Sequence, residues 1–365
     1  MVVTFPHLGN SYLAVKAVFD SLGIPLIIPE FNNKSSLDKG CRVSPEEICL
    51  PFKLMMGNLI DSIDKGADTV IMVGSCGPCR FGEYCQLQMD ILKNLGYKID
   101  YVVLDSPLEI GKKEFMNRLS KLVPGSGKSR LSKYKALLEG FFIIQRLESF
   151  EARAKYLSGY EINHGECLNI INKCKKEALT SRSSSEMLEV ISRYNSILKF
   201  LKVDTGRKPL KIAIIGEIYT IIEPYSNMNI EEKLMQRGVS IIRRITPGWW
   251  LKDTMLKPVR LNSRKLNKAA DKYVPYAIGG FSRECIGEAV LAAKSGCDGA
   301  IQVFPMGCMP EIVSKSILPA VSKDYNLPVL SLIMDEITGD AGYITRIEAF
   351  LDLLERRKDN VSFGH

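Results

Sequence analysis

The chain has 365 residues, 46% hydrophobic and 25% charged. That balance suits a globular protein with sizeable cores and excludes global disorder, a collagen-like fibre or a small disulfide scaffold. Lys and Arg number 49 against 41 Asp and Glu, a net +8 spread along the chain, so neither nucleic acid nor a membrane surface is an expected partner. Only three histidines are present, His7, His164 and His365. Paired-histidine zinc sites and Ser-His-Asp hydrolysis are hard to build from that stock.

In chain order, residues 1–5 read as a strand, 12–22 as a helix stopped by Gly23, and 24–28 as a second strand. Ser44-Pro45-Glu46-Glu47 has the composition of a helix start: a Ser cap, Pro in the first turn and acids on the dipole. A helix over 52–65, a strand over 68–73 with an apolar body, a helix over 81–95 and a strand over 99–104 come next. Such alternation predicts a parallel sheet buried on both faces. From Pro107 to Arg207 the pattern turns charged and helical, with helices expected over 109–122, 131–157, 160–179 and 183–201. Strands then return at 210–215, 239–242, 299–303 and 328–333, between helices at 230–237, 285–294, 310–321 and 342–355. The expected architecture is α/β: two Rossmann- or flavodoxin-like parallel-sheet domains, 1–107 and 208–365, facing each other across a cleft, with a helical insertion at 108–207.

There is an internal echo. Gly66-Ala67-Asp68 and the apolar run 69–73 lead into a Gly/Pro/Cys loop, and Gly296-Cys297-Asp298 with its apolar run leads into another. Two copies of one unit are the simplest reading.

Ten cysteines without a secretory signal at the start, and without a run of the ~20 apolar residues that a membrane span needs, point to a reducing, cytoplasmic setting. There clustered thiols are metal ligands or redox groups rather than disulfides. Cys49 sits at a helix start. Cys76 and Cys79 form a C-x-x-C just after a buried strand, and Cys308 comes after the corresponding strand of the second copy. Ligands of open parallel sheets bind beyond the carboxyl ends of the strands, where helix N-termini favour thiolate and sulfide. Thiolates without histidine partners point to an Fe–S cluster or an all-sulfur zinc site. A zinc knuckle normally shows two close C-x-x-C pairs, and only one is present. Cys76 stands open between ligand and core. Cys167, Cys174, Cys285 and Cys297, and with them Cys41 and Cys85, read as core thiols.

Four stretches together resemble a known family: Pro45-Glu46-Glu47-Ile48-Cys49-Leu50-Pro51-Phe52-Lys53, Gly77-Pro78-Cys79-Arg80-Phe81-Gly82-Glu83-Tyr84, Gly307-Cys308-Met309-Pro310-Glu311, and the run from Asp335 through Thr338, Gly342, Arg346 and Glu348 to Phe350. They are similar to the 2-hydroxyacyl-CoA dehydratase subunits, in particular the branch of acyl-CoA dehydratase activase-related proteins (CoA protein activases), with double-cubane cluster proteins as relatives. The resemblance implies a cubane-type iron–sulfur cluster, 4Fe–4S or double-cubane 8Fe–9S, held by Cys49, Cys79 and Cys308, with Cys76 as an extra thiol. It implies reduction by a separate ATP-hydrolysing Fe–S activator fed by ferredoxin or flavodoxin, and pairing as a homodimer or as a heterodimer with a related subunit. The activity implied is radical dehydration or a difficult reduction. The alternatives are an electron-transfer component with no acyl-CoA chemistry of its own and a non-catalytic zinc scaffold.

Other motifs weigh less. Pro124-Gly125-Ser126-Gly127-Lys128-Ser129 imitates the end of a P-loop but lacks the preceding strand and first glycine; it reads as a linker. Arg80 is read either as a neutraliser of a reduced cluster or as a salt-bridge partner. Asp335, Glu336, Arg346 and Glu348 are read as an ion-pair network or a polar cleft wall. Trp249-Trp250 reads as a packed loop, and the basic residues from Lys112 to Lys133 as a solvated helix face or a docking surface for an acidic donor.

Overall fold

The computed structural model describes residues 1–74, 79–104, 111, 113, 114, 117, 118, 129–256 and 263–363. The P-loop-like segment up to Lys128, most of the helix expected over 109–122, and Cys76 lie outside them.

The β-branched runs form two parallel sheets. The first joins β1 (Val3–Thr4), β2 (Thr69–Val73) and β3 (Asp100–Leu104) in that order. The second joins β4 (Lys211–Gly216), β5 (Ser240–Ile242), β6 (Gly299–Pro305) and β7 (Val329–Met334) in the order β5-β4-β6-β7. Every residue of β6 is buried, as expected of a strand covered on both faces. The chain is therefore α/β with parallel sheets. The strand expected over 24–28 is reduced to one bridge, Leu26 beside Val3, flanked by Val3 N–H to Pro25 O at 2.9 Å and Ile27 N–H to Val3 O at 2.8 Å. That segment takes the place beside β1 that β5 takes beside β4.

The helices are α1 (Ser11–Leu22), α2 (Lys34–Val43), α3 (Leu50–Asp64), α4 (Tyr84–Asn94), α5 (Arg130–Leu157), α6 (Glu166–Thr180), α7 (Ser184–Lys199), α8 (Ile218–Ile222), α9 (Ile230–Met235), α10 (Pro247–Leu256), α11 (Arg264–Ala270), α12 (Ser282–Lys294), α13 (Met309–Tyr325) and α14 (Asp340–Phe363). Two readings are corrected. Ser44 is the C-cap of α2, not a helix start; Pro45 stops that helix, and α3 begins at Leu50 with Cys49 as its N-cap. Trp249 and Trp250 lie in α10, not in a loop. The helix α2 had no sequence expectation. A capping box starts it, with Asn33 Oδ1 accepting from Ser36 N–H at 3.1 Å and Ser36 Oγ from Asn33 N–H at 2.9 Å. It packs backbone to backbone on α3: a Cβ on Gly40 would lie 1.7 Å from Lys53 O, and one on Gly57 1.7 Å from Ser36 O.

The chain divides into two compact units. One comprises Met1–Glu148, Lys176–Ile191 and Pro247–Asn262; the other comprises Ser149–Lys175, Ser192–Thr246 and Ser263–His365. Each holds one sheet, and the helices between residues 130 and 199 contribute to both.

The echo in the sequence extends to individual hydrogen bonds. In the first unit α3 closes with Gly66 N–H to Ile63 O at 2.8 Å and Ala67 N–H to Ser62 O at 3.1 Å; in the second, α12 closes with Gly296 N–H to Ala293 O at 3.1 Å and Cys297 N–H to Ala292 O at 3.0 Å. Both glycines have positive φ, 102° and 73°, as such C-caps require. The next aspartate then clasps the neighbouring strand. Asp68 Oδ1 accepts from Val2 N–H at 2.7 Å, and Asp298 Oδ2 accepts from Lys211 N–H at 2.7 Å. In return Asp68 N–H reaches Val2 O at 3.0 Å and Asp298 N–H reaches Lys211 O at 2.8 Å.

Candidate functional site

In a doubly wound sheet the crevice opens where successive connections leave in opposite directions, at the carboxyl ends of the two strands involved. The order β5-β4-β6-β7 puts that point between β4 and β6. With the Leu26 segment outside β1, the same point in the first unit falls between β1 and β2. His7 comes after β1, Glu217 after β4, Cys79 after β2 and Cys308 after β6. Two of the three expected cluster ligands thus stand at corresponding places in the two sheets.

In the first unit Cys49 is the N-cap of α3, in extended backbone (φ −63°, ψ 148°), with Pro51 in the first turn. It is 8% exposed. The Tyr84 hydroxyl donates to its sulfur at 2.9 Å. Tyr84 is buried, lies edge-on to Phe52 with centroids 5.0 Å apart, and is tilted against Phe81 at 4.9 Å. Cys79, half-buried, is the N-cap of the short 3-10 turn Arg80–Glu83 that runs into α4 (φ −83°, ψ 136°). The two cysteine segments are tied together: Arg80 Nη1 donates to Glu47 O at 3.1 Å, and Tyr84 reaches Cys49. From its other side the loop before Cys49 is held by the buried Lys53, whose Nζ donates to Glu46 O at 2.8 Å. The structure therefore brings Cys49 and Cys79 onto joined segments of one unit. His7, beyond β1, is buried; its N–H donates to Asn58 Oδ1 at 2.9 Å, and its ring packs on Tyr12 and Phe31.

In the second unit Cys308, 7% exposed, is the N-cap of α13 (φ −75°, ψ 97°), and Pro310 again lies in the first turn. The two motifs share the pattern Cys-x-Pro, with the thiol as cap. One residue beyond Pro310, Glu311 is fully buried. Its Oε2 accepts from Gln302 Nε2 at 2.8 Å, and Gln302 Oε1 accepts from Ser331 Oγ at 2.7 Å. No N–H or O–H donor among the described residues reaches its Oε1. Burial, offset only in part by hydrogen bonds from Gln302 and Cys285 and reinforced by the Glu217 and Glu284 charges, pushes the Glu311 carboxyl up to about 8. Burial likewise raises Glu217, against three donors from Tyr219 and Thr220. The Cys285 thiol, beside Glu311, is pushed far up by burial and by that carboxylate. Cys285 is therefore a core thiol. So is Cys85, buried with its sulfur 3.8 Å from that of Met89, and so are Cys167 and Cys174.

Sequence reasoning gave no separate role to Tyr84, Glu217, Gln302 or Glu311. Tyr84 and Glu311 stood inside quoted motifs, but which residues they touch is set by tertiary packing. Arg80 contacts a carbonyl, and Arg346 donates to Ser331 O at 2.7 Å. Glu348 pairs with Arg237, and Asp335 Oδ1 accepts from Thr338 Oγ1 at 2.7 Å and Ile337 N–H at 3.0 Å. Of these, the Asp335 contacts are a local turn after β7, while Arg346 ties α14 to the middle of β7 and Glu348 ties it to Arg237, just beyond α9.

Among the described residues no group of three or more His, Cys, Asp or Glu side chains is gathered as a metal site. Cys49 and Cys79 belong to the first unit and Cys308 to the second. The donors nonetheless suit an anionic cluster: Cys49 and Cys308 each cap an α-helix, and Cys79 caps the 3-10 turn that runs into α4, none of them making a side-chain cap hydrogen bond, so each thiol stands where the backbone N–H groups favour negative charge. Among the described residues no helix is long and apolar enough to cross a membrane. Compared with known proteins, the chain matches no family model and no curated protein.

Proposed function

We propose that the chain is an iron–sulfur protein of the 2-hydroxyacyl-CoA dehydratase type. In this reading Cys49, Cys79 and Cys308, with Cys76 beside them, hold a low-potential cubane-type cluster, 4Fe–4S or double-cubane 8Fe–9S. The observation that carries it is the repeated placement of a thiol as helix N-cap beyond a central parallel strand, at Cys79 and Cys308, with Cys49 tied to the first of these through Tyr84 and Arg80.

The proposal includes an arrangement of two domains facing across a cleft, a cytoplasmic setting, and partnership with a separate ATP-hydrolysing Fe–S activator fed by ferredoxin or flavodoxin. It also includes pairing as a homodimer or as a heterodimer with a related subunit. When bound, such a cluster supplies a single low-potential electron and a Lewis-acidic iron. The chain's own residues do the rest. Helix N-termini favour the anionic thiolates. The Arg80 guanidinium, placed by Glu47, offers positive charge beside Cys79. The Tyr84 ring, packed against Phe52 and Phe81, holds its hydroxyl on the Cys49 sulfur.

Anaerobic purification, with a visible spectrum and iron and acid-labile sulfide counts, tests this. The expected result is a broad brown absorbance that C49A, C79A and C308A each abolish. A colourless protein that carries zinc overturns the reading and leaves the scaffold alternative. Assay of a brown protein with an ATP-dependent Fe–S reductase and a 2-hydroxyacyl-CoA then separates dehydration from plain electron carriage.

A further inference from the structure

We infer that Tyr84 is a positioning residue: carried on the Cys79 segment, its hydroxyl fixes the Cys49 sulfur and sets the potential of whatever centre that sulfur ligates. The inference rests on the iron–sulfur reading and deepens it.

The 3-10 turn Arg80–Glu83 leads from Cys79 directly into α4, whose first residue is Tyr84. One short, continuous stretch therefore supplies a ligand and the group that holds the other ligand. The ring is not free to swing away, because Phe52 meets it edge-on and Phe81 packs at 4.9 Å. Phe52 itself sits in the first turn of α3, three residues after Cys49, so the clamp grows from both cysteine segments. A buried phenol aimed at a sulfur in such surroundings is a strong donor, since little water competes for it. Hydrogen bonds to ligating sulfur withdraw electron density and stabilise the reduced, more negative state of an iron–sulfur centre. Removing the donor therefore makes the midpoint potential more negative.

The test is a redox titration of the anaerobically purified full-length protein, with iron and sulfide counted in parallel. Y84F is expected to keep the wild-type iron and sulfide content and to move the midpoint potential to a more negative value. Replacing Tyr84 by 3-fluorotyrosine, a more acidic phenol of nearly the same size, is expected to move it the other way; this second variant keeps the test alive if Y84F folds poorly. A brown wild type in which Y84F and the fluorotyrosine variant show the wild-type potential overturns the inference alone. A wild type without iron and sulfide overturns the iron–sulfur reading, and the inference falls with it.

Discussion

The first unit and the second unit solve one topological problem with the same backbone devices, then equip the carboxyl ends of their strands with different chemistry. Both close the helix before the central strand with a positive-φ glycine, and both use the next aspartate to clasp the adjacent strand. Both place a cysteine as N-cap after that strand. Beyond this point they diverge. The helix before the central strand starts with Cys49 in the first unit and with Phe281 in the second. The residues beyond β1 and β4 differ too: a buried histidine between aromatic rings against a carboxyl held by Tyr219 and Thr220. One unit is thus built around thiols and a phenol, the other around one thiol and buried acids. Fold and site vary independently: the clasp and the glycine stop are what the sheet needs, and the groups at the strand ends are available for chemistry.

Breaking the packing peculiar to the first unit is the largest perturbation. Gly57→Ala drives a Cβ into the Ser36 carbonyl, and a backbone clash has no flexible side chain to absorb it. The expected cost is more than about 3 kcal/mol, read by urea unfolding as an earlier transition for the first unit while the second keeps its own.

The acids peculiar to the second unit are next. An unfolded glutamate titrates at 4.5 and folded Glu311 at about 8, so between those values the folded state holds a proton that the unfolded state has released. Stability contributed by this group is complete below pH 4.5, falls as pH rises to about 8, and is flat beyond. Glu311→Gln keeps the shape and removes the titration. Urea midpoints at pH 5.5 and 9 are expected to differ less in E311Q than in the wild type, by an amount worth roughly 2–4 kcal/mol. Equal differences would mean that Glu311 is not buried as described.

The shared clasp gives the smallest effect and the sharpest comparison. Asp298→Ala is expected to cost about 1 kcal/mol and Asp68→Ala about half that, because the Asp68 side chain is 52% exposed and that of Asp298 25%. A D68A variant more damaging than D298A in urea unfolding would show that exposure does not set the strength of the clasp.

Much of this was legible in the sequence because buried parallel strands announce themselves. The runs at 69–73 and 299–305 are mostly apolar, with Thr69 opening the first and Gln302 the one polar residue inside the second, and the aspartate and glycine before each mark their edges. Helix starts were less legible. Ser44-Pro45-Glu46-Glu47 has the residues of a cap, yet Pro45 acts there as a stop for α2, and the true cap is Cys49, a residue with little intrinsic capping preference. The helix α2 was missed because Lys34, Ser35, Ser36, Asp38 and Lys39 make it polar, and it holds its place through glycine contacts that no periodicity reveals. The segments belonging to each unit could not be read either, because residues 176–191 and 247–262 return to the first unit from far along the chain. At the site, the thiols were visible through their Gly and Pro neighbours. The hold of Tyr84 on Cys49 spans 35 residues, and tertiary packing alone creates it.

In the loop that leads into Cys49, two cations grip adjacent carbonyls. Glu46 and Glu47 turn their side chains outward, while Lys53 holds the carbonyl of one and Arg80 that of the other. A glutamate-specific protease meets inviting side chains on a backbone that cannot extend into its cleft. The segment resists cutting while both grips last, and the onset of cleavage after residue 46 or 47 therefore reports the moment when either cation lets go.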